Sequence, residues 1–416
     1  MPVIETVLGA VDAAPLRTVL AAETLLCAPP QQRGNAGLPA TDAEFARAAV
    51  SMPMLGRLML GAPNIDDRTL VAADAEGALD TLAAATGGQN GDEGGDAAAT
   101  AVIALAGFGS TADRASLACL SRASGIAIVR GVDGRAAGAD GRPARDDETA
   151  PHGGLAPRDD PEAAGERIAV ELEEFNAGVV GAIPLPGAAQ GGDSGSGASS
   201  AAPDADRALL AAAAAAAHRA GAALVLAPRT DPWAVSQGLA GGVGDTEERA
   251  ARDTVALFEE ALEVAESAGL DRSRVILTGA AGLVCDASGA GADHGRLDAL
   301  LDLGAAICFD QLGRIPNVRT IVSDHDIAVA ILRAAERGAA SRILLSCGIR
   351  NKHRLASYGG NGLEFVPQQF LPYLRMLGAD DALVRAVGGG NALRLLAREP
   401  ARAGEHDDET TRGANA

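Results

Sequence analysis

Eight short apolar runs alternate with longer stretches of helical periodicity, and this alternation limits what the chain can fold into. The runs are Thr18 to Ala21, Ala101 to Ala106, Ile126 to Arg130, Gly178 to Ile183, Ala223 to Ala227, Arg274 to Thr278, Ala305 to Phe309 and Ile343 to Ser346. Such a pattern is the signature of parallel strands joined by helical crossovers. Asp253 to Ala268 sets Val255, Leu257, Phe258, Ala261, Leu262 and Ala265 along one side and its glutamates mainly on the other, with Gly269 as the stop. Asp324 to Arg337 and Asp380 to Val387 behave alike, with Asp324 and Asp380 as expected N-caps. Eight strand–helix units point to an α/β fold, a closed (β/α)8 TIM barrel.

A chain of 416 residues, 47% hydrophobic, has room for one enlarged barrel with insertions. Three Gly-, Ser-, Asp- and Pro-rich segments, about 87–99, 131–165 and 187–206, cannot bury enough apolar area to offset their ordering and are expected to be flexible insertions. The expected division is therefore a single barrel over 1–398 and a disordered tail over 399–416. A formal charge of -20 repels polyanions, so neither nucleic acid nor an anionic membrane surface is expected as a partner.

Ala208 to Ala217 is cut short by His218 and Arg219 and reads as an Ala-rich helix, not a membrane span. The start, Met1 to Thr6, lacks a basic and apolar leader, which makes a cytoplasmic location the expectation. Five cysteines without CxxC spacing suit reduced thiols rather than a disulfide framework or a zinc ribbon.

Several motifs then occur in a telling order. The run from Ile343 to Leu355, ILLSCGIRNKHRL, continues into Ser357-Tyr358-Gly359-Gly360-Asn361-Gly362. Ile4 to Gly9 reads as an opening hairpin, Ala101 to Val129 as strand, helix and strand, and Phe309 to Arg314 as an FDxxG turn. Phe370 to Arg375 and Asn391 to Leu396 close the series. Together these resemble the phosphotriesterase-related family, a metal-dependent branch of the amidohydrolase superfamily.

The resemblance implies a barrel with two divalent metals, typically zinc, at the C-terminal ends of the strands, held by histidines, an aspartate and a bridging carboxylate. Aligned with that pattern, the first-strand His-x-His becomes Ala22-Glu23-Thr24, and the bridging position becomes Gly181. The fifth- and sixth-strand histidines fall on Ala227 and Gly279, and the eighth-strand aspartate on Gly348. Methyl groups and hydrogens donate no lone pair to a cation, so the expectation is no metal and no cofactor. Glu23, between the two replaced histidines, is expected to point away from them by strand alternation and to be structural.

Among the residues left, Arg229, Asp310, Arg314 and Arg350 follow strands and are candidates to line the mouth and hold a small anion through guanidinium forks. The alternative is structural, with Asp310 capping a turn and Arg314 pairing with it. Cys27, Cys285, Cys308 and Cys347 near strand ends suit buried inert thiols better than nucleophiles. His325 suits a helix start better than a base, and Gly388 to Gly390 lacks the Lys-Ser/Thr of a phosphate loop.

The functional expectation is a non-catalytic pseudoenzyme that binds or regulates, with no catalytic residue assigned. The alternatives are a hydrolase of ester, lactone or phosphoester bonds by altered or relocated-metal chemistry, and a structural subunit. A homo-oligomer or a pairing with an active relative would accompany these roles. Limited proteolysis should cut first within 131–165 and 187–206; separation of two stable halves near residue 200 would contradict the single barrel.

Overall fold

The computed structural model describes residues 2–29, 40–87, 99–107, 110, 113–134, 160–186, 202–228, 245–284, 292–318, 320 and 322–398. Most of the three expected insertions and the whole tail lie outside these residues. The opening hairpin pairs β1 (Val3–Thr6) with β2 (Gly9–Asp12) antiparallel, and the Thr6 hydroxyl donates to the Gly9 carbonyl at 2.7 Å across the turn.

Eight parallel strands follow: β3 (Leu16–Glu23), β4 (Ala99–Ala104), β5 (Ala127–Val132), β6 (Val179–Pro184), β7 (Ala223–Ala227), β8 (Val275–Leu277), β9 (Ala306–Phe309) and β10 (Ile343–Leu345). They neighbour one another in chain order, with helices between them, so the fold is the expected (β/α)8 barrel. Their ends differ from the expected ones by no more than two residues.

The expected helices are present. Asp245–Ser267 contains the amphipathic stretch, burying Phe258, Ala261, Leu262 and Ala265, and Gly269 at φ +93° ends it in the left-handed region. Asp380 caps Asp381–Arg385 by accepting from the Leu383 amide at 2.7 Å. The cap of Asp324–Glu336 is not Asp324 but Ser323, which forms a reciprocal capping box with Asp326. Gly388 to Gly390 is helical; a side chain at Gly389 would strike the Arg17 carbonyl oxygen, so glycine lets this helix press onto the base of β3. Among the described residues no helix is long and apolar enough to cross a membrane.

Strand alternation sorts the core into two shells. Leu224 and Leu226 of β7 face the helices and pack with residues such as Phe258 and Leu262. Ala223, Val225 and Ala227 face the barrel interior with Val19, Ile103, Val129, Ile276 and Cys308. The interior is thus filled by alanine, valine, isoleucine and leucine side chains at the strand level.

The strand ladder ends at β10 on one side and β3 on the other, and side chains join these two edges. Ala22 donates its amide to Ser346 Oγ at 3.0 Å, and Ser346 Oγ donates to Glu23 Oε1 at 2.6 Å. The amides of Cys347 and Gly348 also donate to Oε1, at 2.7 and 3.1 Å, and that of Ile349 donates to Oε2 at 3.0 Å. Glu23 is therefore structural, as expected, but its carboxyl reaches across the seam to residues more than 320 positions away.

Burial pushes the Glu23 carboxyl up, while the Ser346 hydroxyl and three amides pull against that shift. Truncation would strand four buried donors, each worth about 1–3 kcal/mol when left unmet. Glu23→Ala should lower unfolding free energy by about 3–5 kcal/mol and Glu23→Gln by less, read by chemical denaturation. A change below about 1 kcal/mol for Glu23→Ala would show that the seam closes without it.

Candidate functional site

In a barrel of this kind the C-terminal strand ends form the mouth; five of the six aligned metal positions lie at or just past those ends, and Gly181 lies within β6. Ala22 and Ala227 are buried in the interior shell. Thr24, half-buried, lines a small cavity with Leu25, Leu70, Asp74 and Ile349. Gly181 has φ +125°, and a side chain added there would begin 2.5 Å from the Val225 carbonyl oxygen. Gly279, at φ +82°, donates its amide to Asp310 Oδ1 at 2.9 Å. Gly348, at φ +57°, sits so close to the Asp310 carbonyl that a Cβ would overlap its oxygen.

These glycines belong to a collar in which backbones bond past the strand ends. Leu105 donates to the Glu23 carbonyl at 2.9 Å, Ala182 to Ala106 at 2.8 Å, Thr278 to Leu226 at 3.0 Å and Ser346 to Phe309 at 3.0 Å. At Gly181 and Gly348 close backbone approach occupies the space that a ligand side chain would need, and Ala22, Ala227 and Gly279 have no side-chain lone pair to donate. The residues at the six positions therefore do not fit a two-metal centre, and among the described residues no group of three or more His, Cys, Asp or Glu is placed to hold a metal ion.

Asp310 is buried and holds the Gly279 amide, a turn-stabilising role. Arg314 directs Nε, at 2.8 Å, and Nη2 to the Gln311 side-chain oxygen. Arg354 reaches the same oxygen through Nη1 at 3.1 Å and the Leu312 carbonyl through Nη2 at 2.7 Å. Arg350 is half-buried; burial pushes the Cys27 thiol up, and Arg350 and Arg68 pull against that shift. Arg229 lies outside the described residues, as do Asp231 and Cys285.

Arg354 was not a sequence candidate. Its three-residue separation from Asn351 and its place after β10 carry no local signal, and only the fold brings it to Gln311. Asp324 lies near both arginines: it accepts from the Gly313 amide at 3.2 Å, and burial pushes its carboxyl up to about 6 against that bond and the pull of Arg354 and Arg314. Asn361 donates to the Gly313 carbonyl at 3.1 Å and fixes the same turn.

Cys308 and Cys347 are buried, and burial holds both thiols well above their usual range, as suits inert side chains. His325 begins a helix and pairs its Nδ1 with the Tyr373 hydroxyl at 2.7 Å.

Residues 250–396 match the model of the Phosphotriesterase family. A resiniferatoxin-binding protein from Rhodobacter sphaeroides is similar in structure, at 24% identity over 95% of this chain and 94% of that one, with a TM-score of 0.65. A phosphotriesterase homology protein from Escherichia coli, solved with phosphate in its active site, matches at 17% identity, 92% and 99% coverage and a TM-score of 0.56. A lactonase from Listeria monocytogenes matches at 16% identity, 95% and 98% coverage and a TM-score of 0.59. At these identities the likeness to solved structures shows the fold. A search of curated proteins found no match.

These comparisons correct one expectation. The family matched over 250–396 is one of binuclear metal enzymes, so the expectation of no cofactor does not stand. Poor fit at six positions describes those positions and does not make the chain a metal-free protein.

The overlap at Gly348 is directly testable. Gly348→Asp, which restores the family's carboxylate, should destabilise the fold by about 3 kcal/mol or more, because it combines a positive φ with a backbone collision. Thermal and urea unfolding would read this; a variant as stable as wild type would show that the mouth has room for a ligand side chain.

Proposed function

We propose, from the premise that this chain is a phosphotriesterase-like barrel, that it is a non-catalytic binding protein that holds a small anion at the rim of its mouth instead of hydrolysing a substrate on the barrel axis. The observation that carries this reading is the pairing of opposites at two neighbouring places. On the axis, Gly348 and Gly181 are packed against backbone carbonyls. Beside the axis, two guanidinium groups, the half-buried Arg314 and the buried Arg354, converge on one neutral amide oxygen of Gln311.

Guanidinium forks suit carboxylate, sulfate and phosphate oxygens, and charge-assisted bonds of this kind are about twice as strong as neutral ones. Gln311 holds both guanidinium groups side by side, and both also act on the Asp324 carboxyl. Asp324, the nearby acid, weakens the positive field when ionised and not when protonated. The Rhodobacter protein is described as binding resiniferatoxin, which is consistent with a non-hydrolytic use of this scaffold, whereas the Listeria protein is described as a lactonase.

Sulfate is the chosen probe because it does not titrate in this range. Its affinity, by calorimetry, should fall about tenfold or more in Arg314→Ala and in Arg354→Ala. Asp324 has its folded value raised to about 6, so it is neutral below that pH and charged above it. Sulfate affinity should therefore rise as pH falls from about 7.5 to about 5.5, and Asp324→Asn should flatten that rise. Phosphotriester, lactone and aryl-ester hydrolysis with added zinc, manganese or cobalt should stay at background. Turnover that survives repurification would favour the hydrolase reading, and sulfate binding untouched by both arginine substitutions would remove the rim site.

A further inference from the structure

We infer that the chain from Val50 to Leu70 is a strap across one side of the barrel mouth, fastened by a buried ionic catch to the segment that follows β10. The strap runs through a short turn of helix, Met52–Met54, a second, Leu55–Met59, and an irregular return to Leu70. Its far end is pinned to the strand ends, where Cys27 and Leu70 exchange backbone bonds at 3.0 and 3.1 Å. Its middle touches the loop after β9, because Asn317 donates to the Met59 carbonyl at 3.1 Å.

The catch lies between strap and body. Asp67 is 4% exposed and receives the Asn351 side-chain amide, the His353 backbone amide and His353 Nδ1, each at 2.9 Å. Its carbonyl receives the Lys352 amide at 2.8 Å. Lys352 Nζ, on a residue only 7% exposed, lies 2.8 Å from Asp66 and 3.5 Å from Asp74. The Tyr358 hydroxyl donates to Asp74 at 2.7 Å. Three carboxylates are thus gathered on one ammonium and one imidazole.

This arrangement suits a catch better than passive packing. Between Met52 and Met59 only Leu58 is buried, while Met52 is 65% exposed, so the strap contributes little apolar area to hold itself down. Buried ion pairs lose their value abruptly when the geometry is broken, because each partner is left charged and unsolvated. A segment held by few apolar contacts and one such cluster opens as a local unit at lower cost than the barrel unfolds. The small cavity lined by Thr24, Leu25, Leu70, Asp74, Ala75 and Ile349 meets the strap at its Leu70 end and shares Asp74 with the catch. What the opening admits rests on the binding reading above; the movement itself does not.

Hydrogen exchange on the full chain, followed by mass spectrometry, separates these cases. Wild-type amides in the strap should exchange faster than those of β4 to β9, by a local opening. Lys352→Met should raise strap exchange by about tenfold or more while strand protection stays unchanged. Tyr358→Phe removes one hydrogen bond and keeps the shape, and should raise it by a smaller factor; it serves as the test should Lys352→Met fail to fold. Strap and strands exchanging together in wild type, or strap exchange unmoved by the folded variants, would overturn the inference. A failure to find any anion would leave these exchange results intact, so the two readings fail separately.

Discussion

The carboxyl group of Glu23 closes the barrel. At the seam between β3 and β10 the backbone ladder stops, and four donors from Ser346 to Ile349 meet the two oxygens of one side chain. Drawing that segment inward places Gly348 against the Asp310 carbonyl, and the Asp310 side chain in turn holds Gly279. Three of the strand ends that carry chemistry in related barrels are thereby locked into one bonded unit. The same pull sets the start of the segment from Arg350 onward, which carries Arg354 to Gln311 and Lys352 to the strap.

Much of the fold was legible because its signals are local. Runs such as Ala223 to Ala227 and Ala305 to Phe309 are apolar throughout and flanked by turns, and their period and length identify strands without knowledge of their neighbours. Helix Asp245–Ser267 shows its apolar face at every turn. The Ser323 cap was misplaced by one residue because serine and aspartate are both good N-caps, and the competition was decided by Asp326 completing the box.

The site was less legible because its contacts are distant in sequence. Strand alternation fixes which face Glu23 occupies but not that Ser346 waits across the seam. Arg314 and Arg354 meet only because the turns after β9 and β10 lie side by side, and His353 finds Asp67 only after the connection between β3 and β4 folds back over the mouth. The alignment with the resembled family also misled in one respect: missing ligands at aligned positions suggested a protein without a cofactor, an inference broader than six positions can bear.

Under the proposed binding role, backbone fills the axis at Gly181 and Gly348 and an anion is held beside it by Arg314 and Arg354. A crystal structure of the protein soaked in sulfate tests that contrast most directly. The account predicts an anion against Arg314 and Arg354, with Glu23 still bridging to residues 346–349 and Gly348 still against Asp310. An anion seated instead on the barrel axis among Ala22, Gly181 and Gly348, with the Glu23 bridge broken, would contradict it.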